Sequence, residues 1–276
     1  QMCIRDRSWH LLAFIACSPR HDVALNLQKR RERSAAHVLI PCWKSAGSAV
    51  SLATTSNNSH HSPLHSRSLT GNKYTSGRVV IDAGSQKFPG AAVLAVGGAR
   101  RGGAGYINYI TRDQLPSELV AHAYPDVVPL ASGELGHFDT SDAIVVGPGA
   151  PAIASLPRTR RIVVDGGALS YVHSAFTSEI AVLTPHEGEL RSMGVDPTDR
   201  VSAAITAATR WNCILVLKGY RSIVATPGGV VHIDELGGPE LSTAGTGDVL
   251  AGFLGSMLAA HKPDTLDSSA QVVICL

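Results

Sequence analysis

The sequence predicts an α/β protein with a mostly parallel, doubly wound sheet covered by helices on both faces. Six short apolar runs are continuous rather than alternating, as is typical of strands buried on both faces. Helix-length stretches separate several of these runs, which favours parallel strands joined by crossovers. Aromatic residues make up only 5% of the 276 residues and there are 27 glycines, which suits closely packed helices on a sheet.

The elements follow in order along the second part of the chain. We expect strands within 78–85, 105–110, 143–149, 161–165, 180–186 and 213–219. Pro89 is expected to start a helix, since its fixed φ suits the first helical turn. Another helix is expected over 201–211. Segment 222–233, with Pro227-Gly228-Gly229 in its middle, predicts a hairpin at the end of the sheet.

Charge and composition divide the chain at about residue 70. Residues 1–78 carry 11 Lys+Arg against 3 Asp+Glu, and the rest carry 13 against 19. We expect 1–70 to be a disordered basic leader, with 1–10 similar to translated adapter sequence, and 71–276 to be the folded domain. An acidic body argues against nucleic-acid binding, and the apolar run 9–17 is too short to span a membrane.

The histidines and cysteines of the leader give no defined site. His60, His61 and His65 are candidate metal ligands, but a polar disordered tract is the preferred interpretation. The five cysteines have no paired spacing, so they indicate neither a disulfide framework nor a zinc site. A reducing cytoplasm is the expected location.

The most informative segment is 242–252, Ser-Thr-Ala-Gly-Thr-Gly-Asp-Val-Leu-Ala-Gly, which leads into an apolar helix pattern reaching about Ala260. Small residues at a helix N-terminus allow backbone amides to approach an anion. Asp248 follows directly and is able to accept a proton from a nearby hydroxyl. The alternative is a carboxylate that merely caps the helix. The segment predicts a place where a nucleotide phosphate meets a substrate hydroxyl.

Other chemically useful residues follow the predicted strands. Ligands of doubly wound sheets bind outside the carboxyl ends of the strands, so these residues should converge on one crevice. They are Gly84-Ser85, Gly147-Pro148-Gly149, Asp165, Pro185-His186 and Lys218-Gly219.

Taken in order, the motifs resemble those of ADP/ATP-dependent NAD(P)H-hydrate dehydratases, a branch of the ribokinase-like superfamily. The resemblance covers roughly three quarters of the chain, from about Asn72 onward. The motifs that carry it are Lys73-Tyr74-Thr75-Ser76-Gly77-Arg78, Ala83-Gly84-Ser85, Phe88-Pro89-Gly90-Ala91-Ala92, Gly103-Ala104-Gly105, Val146-Gly147-Pro148-Gly149, Val164-Asp165 with Ala168-Leu169, Leu183-Thr184-Pro185-His186-Glu187-Gly188-Glu189, Val216-Leu217-Lys218-Gly219 and Gly245-Thr246-Gly247-Asp248.

The resemblance implies a metabolite-repair lyase that dehydrates the S-epimer of hydrated NADH or NADPH. ADP, or alternatively ATP, would phosphorylate the substrate hydroxyl with Mg²⁺ present, and phosphate would then be eliminated. It also implies a separate NAD(P)H-hydrate epimerase as functional partner, a cytoplasmic location and a homotetramer. The alternatives are a ribokinase-like kinase of a vitamin precursor and a nucleotide-binding protein without catalysis. Segments 88–92 and 184–189 favour the dehydratase.

The resemblance also assigns roles to individual residues. Asp248 would be the general base and a substrate contact. The other implied substrate contacts are Ala92, Gly149 and His186. The implied nucleotide contacts are Lys218, Gly219, Tyr220, Arg221, Ser222, Gly245, Thr246 and Gly247.

Simpler interpretations stand beside several of these roles. Ala92 is equally suited to helix packing, and His186 to a structural role in a loop. Segment 218–222 also fits a plain turn between strands. Asp165 is suited to holding Mg²⁺ through water or to capping the next turn.

Two features depart from the family pattern. Gly167 stands where the family has a second Asp of an Asp-Ala-Asp-Ala-Leu motif, and the first 70 residues do not resemble the epimerase domain fused to some relatives. The sequence ends at Leu276, where the family continues into a further helix, so a C-terminally truncated domain is expected.

Overall fold

The structure is a computed structural model that describes residues 69–131, 142–150, 156–157, 159–177, 179–235 and 237–274. All of these ranges belong to one compact unit, residues 49–276. The expectations for residues 1–68, including His60, His61 and His65, lie outside the described residues.

A nine-stranded sheet forms the centre of the described unit, and its strands are ordered β3-β2-β1-β4-β5-β6-β7-β8-β9. The strands from β3 to β7 pair in parallel, and β8 and β9 pair antiparallel at one end. They are β1 (Arg78–Asp82), β2 (Tyr106–Thr111), β3 (Val128–Ala131), β4 (Ala143–Val146), β5 (Arg161–Val164), β6 (Ile180–Leu183), β7 (Ile214–Leu217), β8 (Ile223–Ala225) and β9 (Val231–Ile233). The predicted mostly parallel sheet and its terminal hairpin are confirmed.

Helices cover both faces of the sheet, as predicted. Those on one face pack into the core that contains Val79, Ile81 and Val145, and those on the other into the core that contains Val80 and Ile144. The first group is α1 (Pro89–Ala99), α2 (Gln114–Ala123), α5 (Thr246–His261) and α6 (Leu266–Ile274), and the second is α3 (Glu187–Ser192) and α4 (Arg200–Trp211). Because successive strand residues point to opposite faces, each apolar run supplies both cores.

Helices α1 and α5 cross at unusually close range because glycines lie at the crossing. A Cβ on Gly98 would meet the carbonyl oxygen of Val249, and one on Gly252 would meet that of Ala95. A Cβ on Gly255 would meet the side chain of Val145 in β4. Any larger residue would therefore push α5 away from both α1 and the sheet.

The sequence did not indicate four of these elements, and the first of them, helix α2, contains Pro116 near its start. Strand β3 contains Pro129, which a sheet tolerates at an edge, where no donor is needed on the open side. Helix α3 has only six residues and begins directly after the segment predicted as the fifth strand. Helix α6 lies close to the end of the described residues.

None of the helices in the described ranges combines the length and the apolar character needed to cross a bilayer.

Gly252→Ala tests the helix crossing. We expect it to lower the free energy of unfolding by about 1–3 kcal/mol, since the new methyl group overlaps the Ala95 carbonyl. Urea unfolding measures this. Gly90→Ala is the control because a Cβ there would meet nothing within 4 Å; it should stay within about 0.5 kcal/mol of the wild type. Equal stability of both variants would contradict the close crossing.

Candidate active site

The chain reverses direction across the sheet between β1 and β4. It leaves β1 for β2 and β3 on one side and returns to β4 on the other, where Asp82 of β1 pairs with Val146 of β4. The loops after both strands are joined, since Gly84 N donates to Pro148 O at 2.7 Å and Ser85 Oγ to Gly149 O at 2.8 Å. A crevice at the carboxyl ends of parallel strands beside such a switch point is the usual ligand site of this architecture.

The amino end of α5 lies at this edge and is open to an anion. Gly245 is the N-cap residue, with φ of 91°, and no side chain caps the helix. The hydroxyl of Thr246 donates to the carbonyls of Leu241 and Thr243, both at 3.0 Å, which ties down the preceding loop. The first amides of the helix have no intrahelical acceptor, so they remain for a ligand.

Lys218 reaches across from the end of β7 to the start of α5. Its Nζ lies 2.6 Å from Asp165 Oδ1 and 3.3 Å from the position that a Cβ on Gly247 would occupy. Thr184 Oγ1 donates to the same Asp165 oxygen at 2.7 Å. Glu189 Oε2 lies 3.8 Å from Nζ. The buried Asp165 therefore aims the ammonium group at the helix N-terminus, which adds positive charge to the amide site.

Asp248 lies in the first turn of α5, within the electrostatic reach of Lys218 and Asp165. The pKa of the Asp248 carboxyl is raised to about 6, mainly by burial and also by the Asp165 carboxylate, while Lys218 acts in the opposite direction. The group is thus partly buried beside the lysine-bearing edge of the sheet rather than exposed. A carboxylate with a pKa near 6 is ionised at neutral pH and is a stronger base than an ordinary Asp.

The side chain of Asp165 does not cap the turn that follows it. The 3-10 turn Gly166–Tyr171 has no side-chain cap, and the hydrogen bonds from Thr184 and Lys218 both go to Oδ1 of the carboxylate. Its Oδ2 faces Gly247, 4.0 Å from where a Cβ would lie. Among the described residues no three His, Cys, Asp or Glu side chains gather into a metal site. One free carboxylate oxygen fits Mg²⁺ that is otherwise held by phosphate and water.

His186 is the N-cap of α3, so it has the structural role that the sequence analysis gave as the alternative to a substrate contact. Its Nδ1 accepts from the Glu189 amide at 3.1 Å, and its own amide donates to Glu189 Oε2 at 2.8 Å. This capping box places the ring proton on Nε2, because an accepting Nδ1 carries none. The side chain is 58% exposed, and Nε2 lies 3.6 Å from Glu189 Oε1, which is beyond hydrogen-bond distance, so Nε2–H is able to donate to a ligand.

The loop 219–222 follows Lys218 and leaves two side chains exposed. Gly219 has φ of 145° and Arg221 has φ of 55°. Tyr220 is 69% exposed, and the Arg221 guanidinium lies 5.6 Å from the centre of its ring. Ser222 Oγ donates to Gly219 O at 3.3 Å. The exposed pair differs from a minimal turn, which would need neither side chain.

Ala92 and Gly149 lie on the other side of the crevice, at the start of α1. Ala92 is fully buried, with its Cβ 2.7 Å from where a Cβ on Gly84 would lie. Gly149 has φ of 62°, and a Cβ there would meet Ala91 and Phe88. The position of Ala92 is that of a packing residue, and its contact with substrate stays a prediction.

Sequence reasoning missed two residues that organise the site. Glu189 completes the capping box of His186, but histidine is not among the usual N-cap residues, so the spacing gave no signal. Arg200, the first residue of α4, donates to the carbonyl oxygens of Tyr220 and Arg221. Nothing local to Arg200 in the sequence indicates this contact across the fold.

Comparison with known proteins identifies the family to which this chain belongs. The sequence profile described as NAD(P)H-hydrate dehydratase matches residues 79–275. The ADP-dependent (S)-NAD(P)H-hydrate dehydratase of Xanthomonas campestris is 33% identical over 226 residues, which are 72% of this chain and 78% of that protein.

A longer relative matches over part of its length. The bifunctional NAD(P)H-hydrate repair enzyme Nnr of Gloeobacter violaceus is 36% identical over 217 residues, which are 70% of this chain. The match covers 42% of the Gloeobacter protein, so the chain spans less than half of that relative.

A solved structure agrees with the sequence comparisons. It is the ADP/ATP-dependent NAD(P)H-hydrate dehydratase of Bacillus subtilis, co-crystallised with ATP and Mg²⁺. It superposes with a TM-score of 0.66 at 28% identity, covering 77% of this chain and 81% of that one. By sequence profile, by relatives and by fold, this chain belongs to the NAD(P)H-hydrate dehydratase family.

Proposed function

We propose that the domain formed by residues 71–276 dehydrates hydrated NADH or NADPH in a reaction driven by ADP or ATP. The observation that carries the proposal is the placement of Asp248 beside the open amides of α5 and the ammonium of Lys218. A base, an anion site and a cation thus meet at one sheet edge. The names of the Xanthomonas and Bacillus proteins support the dehydratase activity and the nucleotide donor.

The reaction has two steps in this proposal. The substrate hydroxyl loses its proton to Asp248 while its oxygen attacks the terminal phosphorus of the donor. The leaving group is AMP when the donor is ADP, and ADP when the donor is ATP. The C–O bond of the phosphate ester then breaks as the ring nitrogen lone pair pushes electrons into the ring. Loss of a ring proton restores the double bond and releases NAD(P)H and phosphate.

The transferring phosphoryl group would lie over the amino end of α5. The amides of Gly245, Thr246 and Gly247 and the dipole of the helix favour the charge that spreads over its oxygens. Lys218 contributes a point charge beside Gly247. Phosphoryl transfer depends mainly on such positioning and charge stabilisation, so little more is required of the protein.

The rest of the donor would lie along loop 219–222. The exposed ring of Tyr220 offers a flat surface for a base, and Arg221 offers a guanidinium for phosphate oxygens. Ser222 Oγ and the flexible backbone of Gly219 complete the contact. This orientation places the donor between the sheet edge and the start of α5.

The hydrated dinucleotide would occupy the opposite side of the crevice. His186 would donate through Nε2–H, the atom that its capping role leaves free. Gly149 and the start of α1 would form the wall near the β1–β4 switch, with the half-exposed ring of Phe88 beside Gly149 and Ala92 buried beneath the surface.

Mg²⁺ fits this site as a companion of the donor. Asp165 Oδ2 would hold it directly or through water, and the ion would neutralise phosphate charge during transfer. With the ion bound, the roles of the protein side chains would not change: Asp165 would still fix Lys218, and Asp248 would still take the proton.

The wider setting follows from the relatives. A bifunctional repair enzyme among them indicates that this dehydratase works with an NAD(P)H-hydrate epimerase activity. We further propose a cytoplasmic homotetramer, as the family resemblance implies, with residues 1–70 as a leader outside the catalytic domain.

The function is tested by following hydrated NADH with ADP or ATP, against Asp248→Asn. We expect the wild type to restore NADH absorbance and release phosphate, and the variant to lose at least about 100-fold in kcat, because it lacks the base. The variant should fold, since a neutral amide avoids burying a charge. A stable phosphorylated product would instead indicate a small-molecule kinase, and ADP binding without turnover would indicate a non-catalytic protein.

The pH profile tests the protonation state of Asp248. The base works only when ionised, and burial raises its pKa to about 6. We therefore expect kcat/KM to be constant above about pH 7 and to fall roughly tenfold per pH unit below about pH 6. Stopped assays across pH measure this, with residual Asp248→Asn activity as the control. A break near pH 4 would contradict the burial of the carboxylate.

His186→Asn separates the two roles of His186. Asn keeps an acceptor for the Glu189 amide, so helix α3 stays capped, but it lacks the Nε2 donor. We expect an unchanged melting temperature and roughly a tenfold higher KM for hydrated NADH. His186→Ala, which loses both groups, should also cost about 1 kcal/mol of stability. A wild-type KM for the Asn variant would leave His186 as a cap alone.

A further inference from the structure

The guanidinium of Arg200 joins three separate pieces of the candidate site. Arg200 is the first residue of α4, and its backbone is fixed by Asp199, whose side chain accepts from the amides of Val201 and Ser202. From this anchored position Nη1 donates to Tyr220 O at 2.6 Å and to Arg221 O at 3.0 Å. One group thus holds two consecutive carbonyls of loop 219–222.

The loop needs such support because its backbone is not relaxed. Arg221 has φ of 55°, a left-handed conformation that a residue with a Cβ rarely adopts. Because Nη1 of Arg200 donates to the carbonyls of both Tyr220 and Arg221, this contact favours that conformation over the ordinary ones. With the carbonyls turned towards Arg200, the side chains of Tyr220 and Arg221 are left at the surface.

The same guanidinium reaches the helix that carries His186. Arg200 Nε lies 3.0 Å from Glu187 Oε1, an ion pair whose angle falls short of a hydrogen bond. Glu187 is the first residue of α3, directly after the capping histidine. Arg200 therefore connects the loop assigned to the donor with the helix assigned to the hydrated dinucleotide.

The remaining nitrogen of Arg200 explains the glycine at the start of the loop. Nη2 is buried without a hydrogen-bond partner among the described residues. It lies 2.8 Å from where a Cβ on Gly219 would be, with φ of 145° at that glycine. A side chain at position 219 would displace the guanidinium, so Gly219 and Arg200 fit each other as a pair.

We propose that Arg200 is a positioning residue that sets loop 219–222 in the conformation that receives the donor nucleotide. The proposal rests on the proposed function for the identity of the nucleotide. The planar guanidinium keeps Nη1 on the two loop carbonyls while Nε lies 3.0 Å from Glu187, whereas the ammonium of a lysine is a single point charge on a flexible stem. Arg200 itself touches neither the phosphoryl group nor the reacting hydroxyl.

The test compares Arg200→Lys with Arg210→Lys, a matched substitution on the same helix. Among the described residues, Arg210 contacts Gly194 O, at 3.5 Å, and the ring of Trp211. We expect Arg200→Lys to raise the KM and Kd for ADP roughly tenfold. The kcat at saturating ADP and the KM for hydrated NADH should stay within about twofold. Arg210→Lys should resemble the wild type in all four quantities.

A second variant guards against misfolding of the first. Glu187→Gln breaks the ion pair but keeps both loop contacts, and its KM for ADP should rise less than that of Arg200→Lys. An unchanged KM for ADP in Arg200→Lys, or a fall in kcat without a change in KM, would overturn the positioning role.

Hydrogen exchange of the free protein separates this proposal from the proposed function. Loop amides 220–222 should exchange faster in Arg200→Lys than in Arg210→Lys, whether or not ADP is the donor. If the wild type binds neither ADP nor ATP, the proposed function fails, and faster exchange still supports control of the loop by Arg200. Equal exchange in the two variants counts against that control.

Discussion

The contact on which the site depends is the crossing of α1 and α5 without intervening side chains. Gly98 and Gly252 bring the two backbones together, and Gly255 brings α5 down on Val145 of β4. Further along the same pair, Gly245 fits against Leu94 of α1. These contacts fix where α5 begins, and its beginning carries the open amides and Asp248. Because catalysis by positioning is sensitive to shifts of about 1 Å, small residues far from the chemistry determine whether the base and the donor meet.

The electrostatics of the crevice follow from one cation among several carboxylates. The Nζ of Lys218 lies 2.6 Å from Asp165 Oδ1 and 3.8 Å from Glu189 Oε2. Its charge also lowers the pKa of Asp248. The ammonium is directed to Asp165, so it only partly offsets the burial that raises the pKa of Asp248. The carboxylates of Asp165, Glu189 and Asp248 outnumber the ammonium of Lys218, and a bound nucleotide adds further negative charge. That surplus is a physical reason for the donor to enter with a divalent cation and for an arginine to lie on the donor loop.

Much of this arrangement could be predicted from local sequence, and the remainder could not, for definable reasons. Continuous apolar runs marked six buried strands, Pro89 marked the start of α1, and the Gly245–Asp248 segment marked the start of α5, because each rests on the conformation of a few adjacent residues. Strand β3 was missed because Pro129 is acceptable only at an edge, and edge position is a property of the whole sheet. The capping role of His186 was missed because its partner pattern normally follows Ser, Thr, Asp or Asn. Arg200 acts 20 positions away in sequence, where no local pattern reports on it.

The two sides of the crevice differ in how strongly they select the substrate. The start of α5, Lys218 and Asp248 would suit transfer of a phosphoryl group to almost any hydroxyl, which is why a small-molecule kinase shares the same logic. In the proposed reaction the second step needs no further acid or base at the departing oxygen, since phosphate is a far better leaving group than hydroxide and the ring nitrogen supplies the electrons. What turns a kinase into a dehydratase is therefore the identity of the alcohol that is admitted. In the proposed reaction that choice falls to the side formed by His186, Gly149 and the start of α1, where the capping role of His186 leaves its Nε2–H as a donor and the half-exposed Phe88 lies beside Gly149.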